Sequence, residues 1–386
     1  MKIFTVISYL LLLQSSIFAQ SEEQILRYKP VDEFIAMRGV RQMYNFQFDE
    51  SKKSFEEFTL LNPEHPSGYF YLVVLEWFTL RMVEEDKEIW SRMLDGLDNV
   101  IEIAEARLKK HPDDALTMVY LGASRGLKAR VALSKNNLLD TFYDAQAGFS
   151  IINDAMEVNP TMIDPLIGVG VFHYFIAISG SFVRSIAYMA GLSSSREDAL
   201  NDLNYVAEKG MYAAIEARSF LMFAYAYIEE DYEKALGFAR GLVNEFDKNP
   251  YFRGKLADIL LMNGMLDEAD EHIDMMLPLS DGMPQKYLEE IENRVAYLKG
   301  EKLRREGNLE EAIIIFTGLA KTYTLEFKFG LAYIYLRAGM TYDQLGARKK
   351  AVKQYKKAVK LDNFTSAVSL SKKYLKNAYS KTDDQR

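Results

Sequence analysis

Small residues recur twelve positions apart in this chain, and a large side chain follows the second of them four positions later. The step occurs in four copies: Gly39, Ser51 and Phe55; Ala257, Ala269 and Ile273; Gly300, Ala312 and Phe316; and Gly339, Ala351 and Tyr355. Side chains three or four positions apart share one face of a helix, and small residues at facing positions let two helix backbones approach closely. The spacing therefore predicts a repeated pair of antiparallel helices.

Glycine and proline mark where the predicted helices end. Gly307 and Gly346 stand between the small residues of their copies, and each is expected to end a first helix in a left-handed cap. The residue before a proline resists the helical conformation, so four dipeptides are expected to end second helices. These are Asn62-Pro63, His111-Pro112, Asn159-Pro160 and Asn249-Pro250.

With these residues the chain resembles the tetratricopeptide-repeat (TPR) superfamily over roughly residues 32–365. The resemblance implies an all-α fold, a right-handed superhelix of about eight antiparallel helix pairs with a concave inner wall. It also implies which residues pack the helices together. They are Gly39, Ser51, Phe55, Gly122, Gly170, Ala199, Ala235, Ala257, Ala269, Gly300, Ala312, Phe316, Gly339, Ala351 and Tyr355.

Three middle pairs, between residues 66 and 213, depart from the twelve-residue step. The corresponding small residues are 27, 26 and 29 positions apart, which predicts lengthened helices. In the third pair Ser179-Gly180-Ser181 and Gly191 break the helix, so residues 182–190 are expected to form a short separate apolar helix. That segment either closes the core or serves as a docking or membrane-facing element. The middle also resembles the eukaryotic inclusion-body-clearance branch of the superfamily, which implies no activity.

The N-terminus has the pattern of a secretory signal. Lys2 precedes an apolar run, and Ala19 follows a plausible cleavage region. We expect residues 1–19 to be a signal peptide and residues 20–386 to be one helical-repeat domain; an uncleaved anchor or a buried helix are the alternatives. The sequence contains no cysteine, which excludes a disulfide scaffold and a lipid-anchored lipoprotein. The location expected is the bacterial periplasm, with secretion as the alternative.

Charge and composition restrict the partners. The formal net charge is −8, and the acidic and basic residues look interspersed, which argues against nucleic acid because its phosphates call for a basic surface. We therefore expect no nucleic acid partner, and membrane contact only through residues 182–190 or an uncleaved signal. The partner expected is a protein or a peptide.

No motif in the sequence predicts catalysis. The four histidines are not spaced as a metal pair, no thiolate exists to complete a zinc site, and no glycine-rich phosphate loop follows a strand. His65 and His111 are expected to be exposed at helix junctions. We therefore expect no enzyme activity, no catalytic or metal-binding residue and no cofactor.

Repeat phase indicates which side chains line the concave wall and could bind a partner. The candidates are Phe70, Trp77, Phe78, His173, Tyr174, Phe175, Tyr251, Arg294, Arg304 and Arg305. Aromatic anchors and arginines that pair with a carboxylate would suit an extended peptide; alternatively, the aromatics pack against the next pair and the arginines are solvated. The function expected is a non-enzymatic scaffold of the bacterial cell envelope. The alternative is a small-ligand or lipid-binding accessory protein with an apolar cavity near His173.

Overall fold

The all-α fold predicted from the repeat is confirmed. This computed structural model describes residues 30–80, 87–134, 137–181, 184–185, 188, 195–323, 329–361 and 363–385, and this part contains seventeen α-helices. The predicted signal peptide lies outside the described residues, as does most of the predicted helix 182–190. The chain forms two compact units that divide after Leu221, within one helix. The single-domain boundary 20–386 and the handedness of the superhelix stay predictions.

The first unit contains helices that pack against their neighbours in chain order, with a weaker contact between the sixth and the seventh. Their bounds are α1 Pro30–Tyr44, α2 Phe48–Leu61, α3 Pro66–Leu80, α4 Lys87–Lys110, α5 Ala115–Ser134, α6 Leu138–Val158, α7 Leu166–Ile178 and α8 Arg196–Lys209. Helices α4, α5 and α6 have 24, 20 and 21 residues, in line with the predicted lengthening. Lengthening is wrong for the third middle pair, because α7 and α8 have 13 and 14 residues; the additional residues lie between them, where the breaks at Ser179-Gly180-Ser181 and Gly191 were predicted.

The second unit begins within α9 and continues the alternation. Its elements are α9 Ala214–Ala224, a π-helical turn Tyr225–Glu229, α10 Tyr232–Glu245, α11 Pro250–Met262, α12 Leu266–Met276, a 3-10 turn Pro278–Ser280, α13 Gln285–Glu306, α14 Leu309–Thr322, α15 Phe329–Gln344, α16 Arg348–Lys360, α17 Ser366–Lys376 and a 3-10 turn Lys381–Gln385. Gly307 and Gly346 have φ angles of +98° and +71°, the left-handed conformation predicted for them. Asn249-Pro250 does not end α10, which stops at Glu245; Asn249 instead caps the start of α11.

Glycine contacts show how closely the paired helices approach. A Cβ atom added at Gly148 on α6 would lie 2.6 Å from the carbonyl oxygen of Gly122 on α5. In the last pair, a Cβ at Gly339 would lie 2.3 Å from the Tyr355 ring. In the first pair, the Ser51 hydroxyl donates a 2.8 Å hydrogen bond to the Gly39 carbonyl. The small residues thus stand where the two backbones meet.

His65 is a correction to the sequence analysis, because its imidazole is buried at the start of α3 rather than exposed at a junction. Its Nδ1 lies 2.9 Å from the Ser67 hydroxyl, and the ring packs edge-on against Tyr120. Burial lowers the pKa of His65 to about 3, so the imidazole is neutral in the folded protein at neutral pH. The junction is packed, so a polar residue beside a proline is not by itself a sign of exposure.

We expect Gly148→Ala to destabilise the first unit by about 2–3 kcal/mol, because the new methyl group would overlap a carbonyl oxygen that cannot move without its helix. Gly237→Ala is the matched control: this exposed glycine lies within α10, and a Cβ there meets nothing within 4 Å. It should stabilise by up to about 1 kcal/mol through helix propensity. Urea unfolding followed by circular dichroism measures both. Equal midpoints for the two variants would contradict the close approach.

Candidate functional site

The inner side of the second unit is built from the first helices of successive pairs. Helix α13 contacts both α11 and α15 in addition to its own partner. Side chains whose position in the repeat places them on the inner face of these helices therefore meet on this side. Three groups of polar side chains lie here: a tyrosine–aspartate group, an arginine group and a partly exposed tyrosine–lysine–arginine group.

The tyrosine–aspartate group is packed in the interior. The Tyr227 hydroxyl donates a 2.6 Å hydrogen bond to Asp258 Oδ2, and the Tyr333 ring packs edge-on against Tyr227 at 5.4 Å. The Tyr333 oxygen lies 2.6 Å from the Ser366 hydroxyl of α17. Burial raises the pKa of Tyr227 and of Asp258, which keeps the proton on the phenol and makes the carboxyl group a weaker acid than usual. These side chains hold the first helices together.

In the arginine group, three guanidinium groups surround the buried carboxylate of Glu301. Arg304 binds both carboxylate oxygens at 2.7 Å, Arg305 Nε lies 2.8 Å from Oε1, and Arg337 Nε lies 3.4 Å from Oε2. Although burial opposes ionisation, the arginines lower the pKa of Glu301 well below its ordinary value. The carboxylate is therefore charged at neutral pH and balances part of the surrounding positive charge.

The C-terminal segment completes the arginine group. Asp384 Oδ2 lies 3.0 Å from Arg304 Nη2, and the Tyr379 hydroxyl accepts a 2.8 Å hydrogen bond from Arg304 Nη1. Arg304 and Arg305 were predicted to bind a partner's carboxylate. The carboxylates that they bind belong to this chain, so the interpretation of these two residues as a free anion site is wrong.

The third group lies at the partly exposed edge of the inner side. Arg294 stacks over the Tyr251 ring at 4.9 Å, and Lys255 lies 4.3 Å above Tyr227 and 5.6 Å from Tyr251. The Arg294 side chain is 22% exposed and binds Glu290 at 2.8 Å. Burial lowers the pKa of Lys255, whereas Glu290 and Tyr251 raise that of Arg294 against the effect of burial. We call Tyr251, Lys255 and Arg294 the edge group.

Gly254 positions the edge group. A Cβ at this residue would lie 2.8 Å from the Met276 methyl group and 3.0 Å from Arg294 Cδ. The missing side chain lets the aliphatic stem of Arg294 cross α11 and reach Tyr251. Sequence reasoning selected Tyr251 and Arg294 but missed Lys255, which lies one helical turn after Tyr251 and could have been found from that spacing.

The aromatic candidates of α3 lie in the core of the first unit. Phe70 packs against Tyr120, and Phe78 packs edge-on against Tyr44. Trp77 is 2% exposed and is covered on one side by Trp90 and on another by the Arg130 guanidinium. The prediction that these three residues anchor a partner is therefore wrong, because the neighbouring helices already occupy their faces.

The candidates of α7 are two buried aromatic residues and one accessible histidine. Tyr174 and Phe175 are fully buried against Phe220 of α9, at ring distances of 5.5 and 5.8 Å, so they too are core residues. His173 is half-buried and interacts with Asp202. Burial lowers the pKa of His173, and Asp202 partly offsets the effect. Of the α7 candidates, His173 alone keeps an accessible side chain.

The residues predicted to pack the repeat lie buried within their pairs. Ten are fully buried: Ser51, Phe55, Ala199, Ala235, Ala257, Ala269, Ala312, Phe316, Ala351 and Tyr355. Three glycines face the second helix of their pair at Cβ distances of 2.5 Å for Gly39, 3.0 Å for Gly170 and 3.1 Å for Gly300. These packing residues fix the positions of the helices that carry the inner side chains.

The described residues contain no group of three acidic, histidine or cysteine side chains placed to hold a metal ion. In the same part of the chain, no helix combines the length and the apolar character that a membrane span requires.

Comparison with known proteins places residues 332–365, which cover most of α15 and all of α16, in the tetratricopeptide-repeat family. No curated protein sequence matches the chain. YrrB, a TPR protein with an unusual peptide-binding site, is 22% identical over 55% of this chain and 92% of its own, with a TM-score of 0.27. A tetratricopeptide repeat protein from Parabacteroides merdae is 13% identical over 81% and 99% of the two chains, with a TM-score of 0.32. Yeast Tom70 is 12% identical over 92% and 96%, with a TM-score of 0.34.

The family match over residues 332–365 confirms the predicted likeness to the TPR superfamily. Stacked helical pairs of this class form scaffolds that bind proteins or peptides. The likeness to the inclusion-body-clearance branch stays a prediction.

Glu301→Gln should destabilise the protein by about 3–5 kcal/mol, because it removes a buried countercharge from three guanidinium groups. Glu306→Gln is the matched control at the end of the same helix, where the carboxylate pairs with Lys302 at 3.6 Å and is 35% exposed; it should change stability by less than about 1 kcal/mol. Urea unfolding followed by circular dichroism gives both values. A Glu301→Gln midpoint that matches the control would show that the arginine group is not held by this carboxylate.

Proposed function

We propose that this chain is an exported, non-enzymatic adaptor of the bacterial cell envelope that binds an extended peptide segment of a partner protein along the inner side of its second unit. The edge group carries the proposal. Among the sequence-predicted candidates of the second unit, Tyr251 and Arg294 keep accessible surface, and Lys255 lies beside Tyr251 on α11. The TPR fold supports a binding role rather than a catalytic one.

The charges of the edge group favour a peptide with an acidic side chain. Glu290 already neutralises Arg294. Lys255 contacts two tyrosine faces, and no carboxylate of the described residues lies within 4.0 Å of its ammonium group. A carboxylate of the partner would relieve this half-buried charge, and the Tyr251 ring would cover a neighbouring apolar side chain. A few buried side chains, often aromatic or cationic, carry most of the binding energy of a typical interface.

A displayed library of unstructured peptides, selected on the full chain, tests this binding. We expect enriched peptides to carry Asp or Glu beside an apolar residue. Tyr251→Ala and Lys255→Gln should each weaken their binding about tenfold, the loss of roughly 1.4 kcal/mol that removal of one strong contact produces. Lys299→Gln is the matched control, since Lys299 is an exposed residue of α13 that pairs with Asp274. It should leave the dissociation constant unchanged.

Fluorescence anisotropy gives the constants, and the urea midpoint of each variant shows that the fold is kept. If no peptide is enriched, or if Tyr251→Ala and Lys255→Gln bind as the wild type does, the edge group is not the binding site.

Export is tested separately by the N-terminus of the protein made in a Gram-negative bacterium. We expect the mature chain to begin at Gln20, because small residues before the cut are what signal peptidase accepts, and to be released by osmotic shock. Ala19→Leu should leave the precursor uncleaved. Intact Met1 on protein in the membrane fraction would favour the anchor, and intact Met1 in the cytoplasm would contradict export.

A further inference from the structure

The positive charge of this chain is concentrated in its last repeat. Residues 345–381 contain eleven lysines and arginines and a single aspartate, a net charge of +10, which leaves −18 on the rest of a chain whose net charge is −8. The expectation that acidic and basic residues are interspersed is therefore wrong for this stretch. A charge asymmetry of this size points to an anionic partner.

Helix α16 arranges its lysines on one face. Ala351, Tyr355 and Ala358 form its buried side. Lys349, Lys353, Lys356 and Lys360 are exposed on the opposite side, at spacings of four, three and four residues. This periodicity places them in one row, about 16 Å long at the rise of a helix. We call these four residues the lysine face; α17, which packs against α16, adds exposed Lys372 and Lys376.

The lysine face differs from the charged surface elsewhere in the same unit. The acidic helix α12 has three of its five carboxylates in ion pairs: Asp270 with Lys302 at 2.7 Å, Glu268 with Arg240 at 2.7 Å and Asp274 with Lys299 at 3.3 Å. No carboxylate of the described residues lies within 4.0 Å of the four ammonium groups of the lysine face. Their mutual repulsion is left uncompensated within the part of the chain that the structure describes.

The composition of this face fits an anionic lipid surface better than a protein or a nucleic acid. None of the large hydrophobic side chains exposed on the described surface lies on α16 or α17. Protein interfaces need an apolar or aromatic centre and are depleted in lysine. Single-stranded nucleic acids are bound on exposed aromatic platforms, and base pairs are read by arginine forks. A membrane rich in anionic headgroups needs only a density of positive charge close to its surface.

We propose that the lysine face docks the protein onto a membrane surface that contains anionic phospholipids. The face lies on a second helix of its pair, whereas the proposed peptide site lies on first helices. The two surfaces therefore stand or fall independently. Each lysine near an anionic membrane strengthens binding several-fold, so four together are sufficient for reversible association.

Sedimentation of the full chain with vesicles tests the proposal. Phosphatidylcholine vesicles that also contain phosphatidylglycerol should bind the protein at about 0.05 M NaCl and release it at about 0.5 M, where screening shortens the reach of the charges. Vesicles of phosphatidylcholine alone should bind much less. The variant K349Q/K353Q/K356Q/K360Q should lower the partition coefficient on the order of 100-fold.

The matched control removes four exposed lysines from the first unit: K52Q/K53Q/K109Q/K110Q. It changes the net charge equally and should bind as the wild type does. All proteins keep residues 1–19, so any contribution of that apolar segment is the same in each. Should the quadruple variant fail to fold, the pairs K349Q/K353Q and K356Q/K360Q should each weaken binding about tenfold.

Equal binding to both vesicle types, or equal losses in the variant and its control, would overturn the proposal. A single-stranded oligonucleotide and polyglutamate serve as further probes. If either one binds the lysine face more tightly than the vesicles do under the same conditions, the lipid assignment is wrong and the face belongs to that class of partner.

Discussion

The close approach of two backbones within each helical pair is the constraint on which the rest of the structure depends. Gly122 and Gly148 bring a carbonyl oxygen of one helix to within 2.6 Å of where a side chain would begin on the other. Larger residues would push the helices apart and rotate the first helix of the pair. In the second unit, the inward direction of α11, α13 and α15 follows from such contacts. The edge group and the arginine group exist because those directions converge.

The frame of the fold could be read from the sequence, because it depends on local spacing. Gly39, Ser51 and Phe55 meet across one turn, and the seventeen residues from Gly39 to Phe55 contain the whole contact. Burial of the aromatic residues could not be read in the same way. Repeat phase shows that Phe70 and Trp77 point inward, but it does not show how close the next pair lies. The neighbouring helices cover both side chains, so inward orientation and accessibility are separate properties.

The arginine group also shows that the sequence does not reveal which distant residues a side chain will contact. Arg304 and Arg305 bind carboxylates of their own chain, whereas a partner's carboxylate was predicted. Glu301 lies one helical turn before them and could have been identified as their partner from the sequence. Asp384 lies 80 positions after Arg304, and only the folded chain brings the two together. By contrast, the basic character of α16 could be read directly from residues 348–360. The net charge of the whole chain is negative and does not show this local excess of lysine and arginine.

The repeat architecture also explains where a charged face can be tolerated. A second helix needs only one buried row, and in α16 that row is Ala351, Tyr355 and Ala358. Asp343 secures the helix from α15 by accepting hydrogen bonds from the Tyr355 hydroxyl at 2.9 Å and from Arg348. The lysine face adds nothing to this packing, and like charges four residues apart weaken a helix. The fold therefore carries this row of lysines at a cost, and an anionic surface outside the protein is the countercharge that would account for it.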